Sequence, residues 1–357
     1  MLEEKINFRV SKGVFYNPNM EFCRSFSSLA VGAIGEKISV CDAFCASGIR
    51  GLRYIKENKN VKDILSLDID KKATNDVSYN FKKNKIKGKV LKGNLSRVVF
   101  DISADFLEID PFGTPSPYIY DSMRIFNPYK RAYFSVTATD VAVLCGGKTK
   151  ACLKNYGAIP LNNEFTHETG MRIMLKKIVD VAAEFNFGVK PLVSLSDRHY
   201  LKTIVLLERS AENAYLSQTH LGHVSYCNSC AYYTISKFPS EKCPSCKKNL
   251  AFAGPLWLGS LHENSFVKKM FQLNQKRDYS QKRQLDKTLT TIIDEASMPQ
   301  FYYDLHKLAQ RAGLKRLLPT EKVLENIQSR GYRAVRTHFS LQAIKTTAPL
   351  KIIKECI

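Results

Sequence analysis

The chain reads as a doubly wound α/β protein with two smaller units appended. Three observations predict this. From residue 37 to residue 207 short apolar runs alternate with helical stretches, the pattern of a mostly parallel sheet wrapped by helices. A turn of small residues follows the first apolar run, and an acid closes the second about 20 residues on, the spacing of a nucleotide cradle. Beyond the last run come two Cys-x-x-Cys pairs and then a Lys/Arg-rich stretch, neither of which continues the alternation.

The elements follow in order. Phe15-Tyr16-Asn17-Pro18-Asn19-Met20 is an aromatic loop with an Asn-Pro turn signal. Such a loop serves as a lid on the core or as a wall of a substrate pocket. Arg24 follows, and a helix is expected from Phe26 to Ile34, closed by Gly35. Lys37 to Ala43 is the first strand, and Asp42-Ala43-Phe44-Cys45-Ala46-Ser47-Gly48-Ile49-Arg50-Gly51 is the turn into a helix. Strand, turn and helix N-terminus together let a cofactor approach the backbone, with Asp42 and Gly48 on the cofactor side. Ala46 stands where a Gly-x-Gly-x-x-Gly motif has its first glycine, so this is not the dinucleotide fingerprint. The second strand, Asp63 to Asp68, ends in the acid placed to meet ribose hydroxyls, with Asp70 the second choice.

A basic helix (71–85) and a strand (88–91) come next, ending in Gly93-Asn94-Leu95. That end lies where an adenine contact would arise, although Asn94 also reads as an ordinary turn residue. Phe106-Leu107-Glu108-Ile109 is a buried strand, and Asp110-Pro111-Phe112-Gly113 caps it. The proline stiffens the turn and fixes the direction of nearby carbonyls. A carboxylate and a carbonyl beside an aromatic face suit the exocyclic amino group of a flipped base. Arg131 to Asp140 is another buried strand with a polar end. Gly147-Lys148-Thr149 is not a phosphate loop, because Ala142 occupies the first glycine position; it is read as a loop. Glu164 to Ala183 is helical, and its His167 is given a structural role. Val189–Ser194 and Tyr200–Leu207 bring the sheet to about seven strands.

The 357 residues are enough for two or three domains, and the formal charge of +21 points to a polyanionic partner, nucleic acid before membrane. No apolar run approaches the ~20 residues that span a bilayer, and the acidic start Met1-Leu2-Glu3-Glu4-Lys5 has no signal-peptide character. A cytoplasmic protein without a membrane or protein partner is expected.

Four of the ten cysteines, Cys227, Cys230, Cys243 and Cys246, form tandem Cys-x-x-Cys knuckles. Such knuckles offer four thiolates to one tetrahedral, structural Zn²⁺. Ala253 to Gly259 reads as a joint between domains. From His262 onward there are eighteen Lys/Arg against nine Asp/Glu. Clusters at Lys276-Arg277, Lys282-Arg283, Lys315-Arg316 and Arg330/Arg333/Arg336 suit a phosphate-tracking surface on a small winged-helix-like α+β unit. The expected division is 1–222 for the sheet domain, 223–260 for the zinc ribbon and joint, and 261–357 for the basic domain.

Five motifs in fixed order carry a family likeness: Phe-Tyr-Asn-Pro at 15–18, Gly-Ile-Arg-Gly at 48–51, Asp-Pro-Phe-Gly at 110–113, Val-Thr-Ala-Thr-Asp at 136–140 and Gly-Pro-Leu-Trp-Leu-Gly at 254–259. The chain resembles the tRNA guanine-26 N2-dimethyltransferases over nearly its whole length, more loosely after about residue 260. The resemblance implies a Rossmann-like class I methyltransferase domain, S-adenosylmethionine as methyl donor, and tRNA as substrate. It places Arg24, Arg50 and Asp68 at cofactor-contacting positions and Asp110 at the catalytic acid. Phe15 and Phe112, with Pro111 between the acid and the second ring, become the guanine's holders. Asn94 and Leu95 stand where the family often has Asp-Ala. The rival readings are a DNA amino-methyltransferase, which also uses Asp-Pro-Phe, and a non-catalytic zinc-ribbon RNA-binding protein.

Overall fold

The computed structural model describes residues 1–127, 131–314 and 316–357; Lys315, one of the basic cluster residues, lies outside them. Seven runs pair into one sheet: β1 (Ile38–Ala43), β2 (Val61–Asp68), β3 (Lys89–Lys92), β4 (Phe106–Ile109), β5 (Ala132–Ala138), β6 (Phe187–Asp197) and β7 (Tyr200–Arg209). Their order is β3-β2-β1-β4-β5-β7-β6. Neighbours are parallel except around β7, which runs antiparallel to both β5 and β6. The chain builds outward from β1 in one direction and from β4 in the other. The crevice between them, at the paired ends Ala43 and Ile109, is the switch point where open α/β sheets bind ligands.

Strand periodicity divides the apolar side chains between two cores. Ile38 and Val40 face one side, with α1 (Glu21–Ala33), α2 (Ile49–Glu57) and α3 (Lys71–Lys83). Cys41 and Ala43 face the other, with α4 (Leu95–Val98), α5 (Ser116–Ser122), α6 (Val141–Leu144), α7 (Thr149–Tyr156) and α8 (Thr166–Glu184). Three sequence expectations shift. The first helix begins at Glu21, earlier than expected, after a 3-10 turn whose cap is the Asn17 side chain. The stretch after Lys148 is helix, because Cys152 and Tyr156 face the core and Gly157 closes the helix at φ 63°. The expected joint is a strand, described next.

After α9 (Ala211–Thr219) come β8 (Leu221–Tyr226), β9 (Tyr233–Ser236) and β10 (Ala251–Trp257), an antiparallel sheet in the order β9-β8-β10. β10 covers most of the stretch expected to be a joint. It is docked, not free: Gly254 exchanges backbone bonds of 2.9 Å with Ile159, and Arg172 Nη1 on α8 donates to the Trp257 and Gly259 carbonyls at 2.9 and 3.0 Å.

α10 (Asn264–Gln275) and α11 (Lys282–Glu295) return to the α1 face and bury Val267, Met270, Leu285, Leu289 and Ile292 there. The last unit joins β11 (Tyr303–Asp304), β12 (Ala334–Thr337) and β13 (Ser340–Thr346), in the order β11-β13-β12, with α12 (Leu305–Arg311), α13 (Thr320–Gln328) and α14 (Leu350–Cys356). Glu168 on α8 pins this unit. Its buried carboxylate accepts from Arg172 at 2.7 Å, Lys345 on β13 at 3.0 Å and the Phe301 amide at 2.9 Å.

Candidate active site

A cleft of about 290 Å³ opens at the carboxyl ends of β1, β2 and β4. Its floor is the turn after β1. Gly48 takes φ 74° to start α2, and a Cβ there would meet the Val77 side chain at 2.8 Å. Asp42, buried at the end of β1, accepts the Gly51 amide at 3.0 Å and so ties strand to helix. Burial pushes its carboxyl up to about 7, against the pull of Arg50. Ala46, the residue in place of the motif glycine, itself adopts φ 46°, and its amide donates to Asp68 Oδ2 at 2.8 Å. Asp68 Oδ1 takes the Asp70 amide at 2.9 Å. Each oxygen keeps a second lone-pair site, and Asp68 lines the cleft.

A smaller slot of about 80 Å³ adjoins the cleft and shares Phe44, Asp68 and Ile69 with it. Leu67, Leu95 and Tyr118 make its other walls apolar, while Asn94 uses its side chain to cap α4 through the Ser96 amide at 3.0 Å. An apolar slot beside a carboxylate, opening onto a helix N-terminus, fits adenine, ribose and an amino-acid tail in that order. The residues therefore fit S-adenosylmethionine.

Asp110 stands on the other side of the cleft, 19% exposed. Arg50 Nη2 donates to its Oδ2, and Oδ1 has no protein donor among the described residues. Below it the buried Glu108 accepts from Lys202 at 2.6 Å and Tyr54 at 2.8 Å and lies 3.8 Å from Arg50. Burial alone would raise Glu108, but Lys202 and Arg50 hold it below the usual carboxylate range. Burial works against the Arg50 charge, yet Glu108 and Asp110 keep it protonated well above its ordinary value. Thr139, at the end of β5, stitches the Asp110–Gly113 turn: its Oγ1 accepts the Gly113 amide at 2.8 Å, and its amide donates to the Gly113 carbonyl at 3.0 Å.

Phe15 and Phe112 meet edge to face over the cleft, centroids 4.8 Å apart, 49% and 78% exposed. Pro111 lies beneath them, buried. Arg24 lines the cleft too, but its guanidinium is engaged by Glu3 at 2.8 and 2.6 Å and by the Asn17 carbonyl at 3.2 Å. It thereby braces the loop that carries Phe15. The structure thus gathers Arg24, Asp42, Arg50, Asp68, Asp110, Pro111, Phe15 and Phe112 on one cleft, sets Gly48 in its floor and puts Asn94 and Leu95 in the slot.

Glu3, Glu108, Lys202, Thr139 and His199 support or line the site without being marked as site residues by the sequence; His199 lines the cleft from the β6–β7 turn. Glu108 and Lys202 carried a signal: each is a charge inside an otherwise apolar strand.

The four knuckle cysteines converge as well. Cys227 and Cys246 sulfurs are 3.4 Å apart, Cys230 and Cys243 3.5 Å, and all four lie within 4.8 Å of one another. These separations are far longer than a disulfide's ~2.05 Å and close to the ~3.8 Å edge of a tetrahedron with Zn–S bonds of ~2.3 Å. The two knuckles repeat one turn: Ala231 (φ 65°) donates to the Cys227 carbonyl and Lys247 (φ 62°) to that of Cys243, both at 2.9 Å. The donor set fits a structural zinc with no open position. No helix among the described residues is long and apolar enough to cross a membrane.

Comparison with known proteins agrees over the whole length. A family profile described as N2,N2-dimethylguanosine tRNA methyltransferase matches residues 1–357. The tRNA (guanine(26)-N(2))-dimethyltransferase of Methanobrevibacter smithii is 33% identical, covering 96% of this chain and 91% of its own. The tRNA (guanine(26)-N(2)/guanine(27)-N(2))-dimethyltransferase of Aquifex aeolicus is 33% identical over 93% of this chain and 86% of its own. Trm1 of Pyrococcus horikoshii, solved with S-adenosyl-L-methionine, superposes with a TM-score of 0.91 at 28% identity, over 100% of this chain and 99% of the other.

Proposed function

The chain belongs to the N2,N2-dimethylguanosine tRNA methyltransferase family, and from that premise we propose which residues perform the reaction. The enzyme transfers methyl groups from S-adenosylmethionine to the exocyclic N2 of a guanine in tRNA, guanine 26 in its relatives' names, and forms N2,N2-dimethylguanosine. We place this activity in the cytoplasm, where tRNA is processed.

The observation that carries the residue assignment is the free Oδ1 of Asp110 beneath the two rings. S-adenosylmethionine, when bound, supplies an electrophilic methyl group on a sulfonium. The rest falls to the chain. Guanine N2 is a poor nucleophile because its lone pair is delocalised into the ring. Asp110 Oδ1 and a backbone carbonyl of the rigid Asp110-Pro111 turn accept the N2–H bonds, localise that lone pair and orient it. Positioning of this kind contributes up to ~7–11 kcal/mol in ideal cases. Arg50 fixes the carboxylate by holding Oδ2, so that Oδ1 faces the base. The N2 proton becomes acidic only as the new C–N bond forms, and Oδ1 then takes it; a strong base beforehand is not required. N2-methylguanine retains one N–H, so the same oxygen serves a second round. Phe15 and Phe112 separate to clasp the unstacked purine, whose extrusion costs a few kcal/mol, and basic contacts to tRNA phosphates offset that cost. Asp68 takes the ribose hydroxyls, and Arg24 keeps the aromatic loop in place.

Incubation with labelled S-adenosylmethionine and unmodified tRNA, followed by nucleoside mass spectrometry, tests the reading. N2,N2-dimethylguanosine at one tRNA position is expected. Methylation of duplex DNA in its place, or none of either, overturns it. Metal analysis should find one zinc per chain, lost on Cys227→Ser.

A further inference from the structure

A second groove, of about 430 Å³, runs between the β6–β7 hairpin, α11 and the β12–β13 hairpin. It is next to the cleft on two elements. Arg198 lines the groove while His199 lines the cleft, and on α1 Phe22 lines the groove while Arg24 lines the cleft.

Its chemistry is cationic. Arg198 and Lys287 are exposed on its walls and form no ion pair among the described residues. Asp197 is the one acid of the lining, and it accepts from the Tyr200 hydroxyl at 3.2 Å. Arg198 holds φ 47° at the tip of its hairpin, the conformation that a two-residue hairpin loop requires, and this sets its side chain out from the sheet end.

His338 also lines the groove, and one of its ring nitrogens has no partner among the described residues. The His338 side chain is 3% exposed, and its Nδ1 is paired with the buried Glu295, which Thr337 Oγ1 also engages at 2.5 Å. His338 Nε2 is buried and unbonded among the described residues. Phe339, packed on the imidazole with centroids 4.0 Å apart, fixes the ring. A buried polar atom left open costs stability unless a ligand fills it. A hydroxyl fits Nε2 in either protonation state, since it donates to a bare nitrogen and accepts from a protonated one.

We propose that this groove seats the sugar–phosphate backbone flanking the methylated guanine, with Arg198 on a phosphate and His338 Nε2 on a ribose 2′-hydroxyl. The 2′-hydroxyl contact makes the groove a reader of RNA as against DNA. The inference rests on the tRNA methyltransferase reading above and deepens it.

The test uses the full chain and transcribed tRNA, with affinity read by fluorescence anisotropy. Product formation reads the chemistry and affinity reads the groove, so one can fail without the other. Single 2′-deoxy substitutions are placed along the nucleotides flanking the methylated guanine. One of them should weaken wild-type binding roughly tenfold. His338→Phe should bind all-ribose tRNA as weakly and be indifferent to that deoxy position. Arg198→Ala, on an exposed tip, should weaken binding and flatten its salt dependence by about one phosphate, with S-adenosylmethionine affinity unchanged. Two results would overturn the proposal: wild-type binding insensitive to every deoxy substitution, or additive losses when the deoxy position is combined with His338→Phe. The wild-type scan needs no variant to fold.

Discussion

Two buried charge networks of nearly the same composition cross this molecule, and they end differently. Under β4, Glu108 collects Lys202, Tyr54 and Arg50, and Arg50 passes its second amino group to Asp110 at the cleft. Under α8, Glu168 collects Arg172, Lys345 and the Phe301 amide, and Arg172 passes on to the Trp257 and Gly259 carbonyls. The second network closes on backbone groups, joins two units and keeps its one oxygen without a hydrogen bond, Glu168 Oε2, buried. The first leaves a carboxylate oxygen facing a cavity. Neither the residue types nor the burial of the ion pairs marks a catalytic site; what does is an acceptor left open where a substrate can reach it.

The largest effect should come from Asp110→Asn. Removing a positioned proton acceptor costs about 10²–10⁴-fold in rate, and here S-adenosylmethionine and tRNA affinities should hold. Equal loss of binding and turnover in single-turnover kinetics would reduce Asp110 to a fold residue and erase the contrast. Glu168→Ala should do the opposite. It leaves Arg172 and Lys345 buried without their partner, a loss of about 3–5 kcal/mol, read as a lower urea midpoint at an unchanged kcat per folded molecule. A fully stable variant would mean that the joint is held by packing alone.

The networks should also part in their pH dependence. Asp42, beside the first, is pushed up to about 7 by burial, with Glu108 and Asp110 adding to the shift and Arg50 opposing it. The folded chain keeps a proton that the unfolded chain releases. Its stabilising contribution is complete below an ordinary Asp value and is lost as pH rises through about 7. Glu295, beside the second network, is held at about 2: burial would raise it, but His338, Lys345 and His262 outweigh that. Its contribution is present above an ordinary Glu value and is lost as pH falls toward 2. Each is on the order of 3 kcal/mol. Urea midpoints should therefore fall less steeply from about pH 4 to 7 for Asp42→Asn, and less steeply on acidification for Glu295→Gln, than for wild type. Matching profiles would mean that neither group titrates apart from its unfolded state.

Much of this was legible beforehand, and the parts that were not share a cause. The strands, the acids Asp68 and Asp110 at their ends and the pairing of the four knuckle cysteines are set by local pattern: apolar runs, an acid at a strand end, paired knuckles. Glu3, Thr139 and His199 act through contacts between segments far apart in sequence, and no spacing announces such contacts. Arg24 shows the difference within one residue. Its place at the cleft follows from the family motifs, but its bidentate hold on Glu3 requires the first residues of the chain to fold back against α1. The 253–259 stretch has the same cause: its glycines signal a turn until Ile159 and Arg172 supply partners.

The smallest effect sharpens the contrast most. Phe112 is 78% exposed and touches Phe15 edge to face, so the two rings either serve each other or wait for a base. An exposed aromatic pair is worth about 0.5–1.5 kcal/mol to the fold, whereas stacking on a nucleobase is worth about 1–3 kcal/mol. Phe112→Ala should therefore lower kcat/KM for tRNA roughly tenfold with little change in Tm, and Phe15→Ala should do likewise. If both rings hold one guanine, the double variant should lose more catalysis than either single one while its Tm stays level. A fall in Tm at unchanged kcat/KM would assign the pair to the fold and leave Asp110 alone with the base.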